Sequence, residues 1–133
     1  GASGHENSQT DTSIEKLGEL MNSRPKWERS EILIILELGH RGGWPKSLSR
    51  TDPEVLEISH QLRAARGLRD PNEHEKIRNT HGVVRKYGDL QCLLPSSTAR
   101  ETKGGEMARR IIAEYLETPE AIIEEALMAK DRY

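Results

Sequence analysis

The sequence predicts an all-α domain: a compact bundle of five or six short helices, a helix-turn-helix-like arrangement being one form of it. Three observations carry that expectation. Apolar residues recur at three- and four-residue spacing through most of the chain. Capping residues and glycine or proline stops bracket those runs. No alternating strand pattern and no two-residue hairpin turn interrupts them. A length of 133 residues suits one domain with a modest core.

Gly1 to Gly4 read as a cloning remnant, and residues 1–12 carry no apolar side chain larger than Ala, so a disordered tail is expected there and one helical domain over 13–133. Ile14, Leu17, Leu20 and Met21 form one stripe, ended by a turn at Asn22 to Pro25. The segment from Trp27 to Arg41 holds the apolar run Ile32 to Leu36. A strand would suit that composition, but the length, the flanking Glu31 and Glu37 and the Gly42-Gly43 stop favour a helix buried on most sides. Thr51 or Asp52 caps the next helix and Pro53 suits its first turn, with Val55, Leu56, Ile58, Ser59 and Leu62 as its buried face. A basic connector with Arg63, Arg66 and Arg69 follows. A helix from about Asn79 to Leu90 turns Val83, Val84, Tyr87 and Leu90 inward. A hydroxyl- and glycine-rich loop, expected to be flexible, runs from Ser96 to Gly105. Two helices close the chain, one with Met107, Ile111, Ile112, Tyr115 and Leu116, the other capped at Thr118-Pro119 with Ile122, Ile123, Ala126 and Leu127.

Charge is uneven along the chain. Residues 61–110 hold eleven Lys and Arg against six Asp and Glu, a net of +5, and the rest nets −7. A basic middle between acidic ends fits a polyanionic partner, although a mixed solvated surface has a similar composition. No apolar run approaches the roughly eighteen residues of a membrane span. Cys92 is the only cysteine, which excludes an internal disulfide and fits a cytoplasmic location. The histidines at 5, 40, 60, 74 and 81 show no ligand spacing, so neither a metal nor another cofactor is expected.

The densest chemistry is the stretch from Ile77 to Lys86. It gathers Arg78, Asn79, His81, Arg85 and Lys86 around Gly82, at the start of a helix. Arg grips phosphate or the guanine edge, and Asn pairs with adenine. The alternative is that Asn79 caps the helix while Arg78 pairs with Glu73 or Glu75. Gly82 in a first helical turn costs about 1 kcal/mol relative to Ala, which implies close approach of another backbone. Arg85 and Lys86 suit phosphate contacts, and a solvated face is the competing reading. Trp44 can stack on a base, but folding back as a lid on the core is preferred. With two Trp, three Tyr and no Phe, a flipped-base pocket is hard to wall.

Four blocks in order resemble a known family. Trp27, Arg29, Glu31, Ile32, Leu33 and Ile34 follow a W-x-R-x-E-L-I-L pattern. Ser49, Thr51, Asp52, Pro53, Glu54, Val55, Leu56, Ile58 and Ser59 follow an S-x-T/S-D-P-E-V-I-x-L-S pattern. Arg78, Asn79, Gly82, Val83 and Lys86, then Pro95, follow R-N-x-x-G-V-x-x-K and a later Pro. Lys103-Gly104-Gly105 and the segments around Tyr115 and Pro119 complete the match. The chain thus resembles the N-terminal domain of bacterial McrA-like HNH restriction endonucleases. It departs from them at Ile77, Tyr87, Asp89 and Leu94. The resemblance implies a module that targets double-stranded DNA carrying a modified base such as 5-methylcytosine. The nuclease itself would be a linked or partner domain, and no catalytic residue is expected in this chain.

The expected DNA-binding residues are Arg63, Arg66, Arg69, Arg78, Asn79, His81, Gly82, Arg85, Lys86, Lys103 and Trp44. Two other readings compete. Asp89 with Glu101-Thr102-Lys103 loosely matches the D…E-x-K pattern of metal-dependent nucleases, which needs paired strands. The acidic, apolar helices from Met107 to Met128 could instead make this a protein-interaction or assembly domain.

Overall fold

The computed structural model describes residues 25–102 and 105–133. The tail and helix expected before Pro25, and Lys103, therefore lie outside the described residues. Among the described residues the chain is all-α and contains no strand. Its five helices are α1 (Arg29–Arg41), α2 (Pro53–Ala64), α3 (Thr80–Gln91), α4 (Glu106–Glu117) and α5 (Pro119–Asp131).

Local chemistry explains the boundaries. Glu28 caps α1 through a capping box: its side chain takes the Glu31 N–H, and Glu31 Oε1 takes the Glu28 N–H at 2.9 Å. Asp52 accepts from Glu54 N at 2.9 Å, with Pro53 opening α2. Asn79 accepts from Gly82 N at 2.7 Å at the start of α3. Each such cap is worth about 1 kcal/mol. Thr118 alone joins α4 to α5, and Pro119 starts the second helix.

α1 is the centre of the bundle. It packs most heavily on α5 and also meets α2, α3 and α4. Every residue from Glu31 to Gly39 is buried, so the helix has no solvent face over that span. Ile32 to Leu36 supply its apolar bulk, each side chain worth about 2 kcal/mol when fully buried. Two carboxylates share this interior. Glu37 is held by Arg41 at 2.9 Å and by Lys130 of α5 at 3.1 Å. Arg29 at the N-terminus of α1 bridges Glu114 of α4 and Glu125 of α5 at 2.8 and 2.7 Å.

Trp44 is the lid. Its ring stacks on Tyr87 at 5.9 Å between centroids, and its Nε1 donates to the Tyr115 hydroxyl at 3.0 Å. Tyr87 donates to the Pro45 carbonyl, and burial pushes its hydroxyl pKa up to about 12. Trp44 adopts φ 56, in the left-handed region, and its N–H bonds Gly39 O at 2.7 Å. The indole lies flat over Gly39: a Cβ there would fall 2.6 Å from Trp44 Cζ3 and 2.9 Å from Tyr87 Cε1. Gly39→Ala is therefore expected to cost about 1–3 kcal/mol through overpacking, despite the better helix propensity of Ala. A lowered denaturant midpoint with an altered near-UV Trp spectrum would register it.

Several expectations need correction. Leu56, assigned to the buried face of α2, is 49% exposed. Its neighbours Val55 and Ile58 already fill the contact with the core. Leu116 and Leu127 are each 47% exposed, because α4 and α5 turn only one narrow stripe toward α1. The loop after α3 is tied back to it by Thr102 Oγ1 to Asp89 Oδ1 at 2.6 Å and Ser97 Oγ to Gln91 Oε1 at 2.8 Å. Among the described residues no helix-turn-helix of the DNA-binding kind is formed. The connections over 42–52, 65–79 and 92–105 far exceed its turn of about 3–4 residues, and Thr118 alone is too short for it. None of the described helices is long and apolar enough to cross a membrane.

Candidate nucleic-acid interface

The connector over 65–79 delivers α3 to the bundle, and Arg63 holds it in shape. Arg63 is 7% exposed and donates to four backbone carbonyls, those of Asp70, Glu73, His74 and Ile77, at 2.5 to 3.0 Å. His74 and Arg78 take positive φ values, 43 and 51, where the connector turns. Ser59 of α2 adds a bond to Arg78 O at 2.7 Å.

Arg78 then points inward. It is 2% exposed and meets Glu31 through Nε at 3.0 Å and Nη2 at 2.9 Å. Its remaining donors reach the carbonyls of Pro25 and Lys26, and its guanidinium lies 4.2 Å from the centre of the Trp27 ring. Arg66 closes on the same Glu31 carboxylate at 3.1 Å. Burial alone would raise the Glu31 pKa. Donation from Arg78, the Glu28 N–H and Arg66 outweighs burial and holds the carboxyl below its ordinary value.

Three of the arginines expected on a DNA-binding face thus serve the interior or its edge. Arg63 and Arg78 are buried, and Arg66 is committed to Glu31. The pairing of Arg78 with Glu73 or Glu75 does not form either, since Glu31 of the central helix takes that place. Lys86 pairs with Asp89 at 3.2 Å and stands 5.6 Å from the Trp27 ring. Trp44 is on the core, away from α3's first turn. Asn79 is the helix cap. Gly82 is not pressed by another backbone: the nearest atom to an added Cβ would be the capping Asn79 Oδ1, at 3.2 Å.

What remains outside is a compact set. Arg69, Lys76, His81 and Arg85 are exposed, and the three basic ones enter no ion pair among the described residues. The start of α3 stands between two recesses. One, of about 140 Å3, is lined by Trp27, Lys76, Arg78, Gly82, Arg85, Lys86 and Asp89. The other, of about 320 Å3, includes His60, Arg69, Asn79 and Thr80. Lys76 was not singled out in the sequence, because it follows Glu73 and Glu75 in a segment without periodicity. Glu31 was read as a flank and as part of a family-like block but not as a buried ion-pair partner, although a carboxylate opening an apolar run implies an internal cation.

Of the nuclease-like pattern, Lys103 lies outside the described residues. Asp89 is engaged by Lys86 and Thr102, Glu101 by Arg109 at 3.5 Å, and neither lies on a strand. Compared with known proteins, the chain matches no protein-family model, no curated protein and no solved structure.

Proposed function

We propose that this is a DNA-binding specificity domain, one that brings a separate nuclease to DNA carrying a modified base such as 5-methylcytosine. The single observation that supports it best is the grouping of Arg69, Lys76 and Arg85 around the start of α3. These side chains are exposed and enter no ion pair among the described residues, so they are available to phosphates. The helix start adds a positive dipole end, and the exposed His81 lies in its first turn. In this reading the buried arginines act at one remove. Arg63 shapes the connector that carries Arg69 and Lys76, and the Glu31–Arg78 pair anchors the helix that carries Arg85. Specificity would come from aliphatic or polar contacts in a groove, since Trp44 and Tyr87 are occupied with each other. In this reading cutting belongs to another domain, and Asp89 and Glu101 are held by Lys86, Thr102 and Arg109 rather than set on paired strands.

Engagement of about four phosphates gives a log K against log salt slope of about −3.6. Lys76→Ala and Arg85→Ala are each expected to reduce that slope by about 1 and to weaken binding at low salt, without loss of stability. Otherwise identical duplexes bearing cytosine, 5-methylcytosine or 5-hydroxymethylcytosine, titrated at several salt concentrations, test the reading. Absence of salt-sensitive binding to every duplex would remove it.

A further inference from the structure

We propose that the apolar groove beside α5 docks a basic amphipathic helix of another protein. The groove has a volume of about 540 Å3 and is lined by His40, Pro119, Glu120, Ile123, Glu124 and Leu127. Ile123 and Leu127 stand one turn apart on α5 and form its floor. Ile123 is partly buried against the core, while Leu127 and the adjacent Met128 are 47% and 60% exposed. Large side chains left open side by side mark a binding face better than scattered ones do. The groove takes His40 from the C-terminal end of α1 and shares no lining residue with the recess formed by Trp27 and the start of α3. It is therefore a second surface, independent of the proposed DNA contact.

Charge selects the occupant. The residues lining the groove include two carboxylates and no Lys or Arg. Glu117, Glu120 and Glu124 are exposed and enter no ion pair among the described residues. Of the cations on α4 and α5 and at their ends, only Arg132, beyond Met128, enters no ion pair among the described residues. Lys130 turns back to Glu37, while Arg109 and Arg110 pair with Glu101 and Glu106. A partner that covers Ile123 and Leu127 must also cover these carboxylates. An acidic partner is repelled, and a neutral one leaves them desolvated without a counter-charge. A helix with apolar anchors at i, i+4 and i+7, flanked by Lys and Arg, satisfies both demands.

The test uses the whole chain and a fluorescent cationic amphipathic peptide of about 18 residues, long enough to form a helix. A scrambled isomer and a twin with Glu in place of Lys serve as comparisons. The proposal requires saturable binding of the amphipathic cationic peptide alone. Leu127→Ser and the pair Glu120→Gln/Glu124→Gln should each weaken that binding about tenfold or more, as loss of a central anchor does. Their circular dichroism and their DNA titration should stay unchanged. The proposal is overturned if the cationic peptide does not saturate, or if the scrambled isomer binds equally well. It is also overturned if the protein sediments as a concentration-dependent dimer that Leu127→Ser dissolves, since a second copy would then be the occupant.

Discussion

Glu31→Gln is expected to destabilise the domain by about 3–5 kcal/mol, the range for breaking one member of a buried ion pair. Shape is almost unchanged by the substitution, so the loss is electrostatic. Arg78 would keep its burial, its positive φ and its bonds to Pro25 and Lys26, but would lose its counter-charge. Equilibrium denaturation of Glu31→Gln, Arg78→Met and the double variant measures the coupling. Arg78→Met should cost much less in the Glu31→Gln background, with a coupling above about 1 kcal/mol. Additive losses would show that the pair contributes nothing as a pair.

The same carboxylate sets a pH dependence. Its pKa in the folded protein is depressed, so its stabilisation is complete above the unfolded value of about 4.3. That stabilisation drains away as pH falls through the depressed folded value. Wild-type stability should thus decline on acidification below about pH 4.5, and Glu31→Gln should show a shallower decline across that window.

Arg63→Met is expected to cost about 2–4 kcal/mol. The long apolar replacement keeps the packing of the stem but strips the four connector carbonyls of their charged donor. Amide exchange should accelerate across residues 65–79 before it does so in α5. Arg63→Lys should rescue only part of the loss, since an ammonium cannot span what a planar fork with five donors spans. Equal protection of the connector in Arg63→Met would show that other contacts hold it. On the proposed DNA-binding reading, either variant would also weaken binding indirectly, through the placement of Arg69 and Lys76.

These two residues also show where sequence reading stops. The helices were legible because their determinants are local. Asn79 three residues before Gly82, Asp52-Pro53 before an apolar stripe, and Thr118-Pro119 between two stripes each state a boundary within one turn. The lid role of Trp44 followed from two glycines before it and a small core behind it. The fate of the arginines depended on something non-local. Glu31 is 47 residues from Arg78 along the chain, and nothing near Arg78 announces that partner. A cation beside a glycine and an amide was read as facing solvent, because most cations do. The site was accordingly half legible. Its place at the start of α3 follows from the sequence, while the division between charges that build it and charges that face outward required the fold. The exposure of Leu56, Leu116 and Leu127 was hidden for a related reason. Periodicity gives a helix an apolar side without saying how wide a strip its neighbours cover.

The burial of α1 on every side has a consequence for biosynthesis. Of the described helices this is the first to leave the ribosome, and it carries the buried apolar run Ile32 to Leu36, yet its largest contact is with α5, the last of them. Between those two events α2, α3 and α4 can cover only part of it. The nascent chain must therefore carry the α5 side of this segment open until residues near Lys130 and Tyr133 emerge and close over Glu37 and Ser30. Chains cut short before α5 would not be smaller versions of this domain but substrates for chaperones and aggregation.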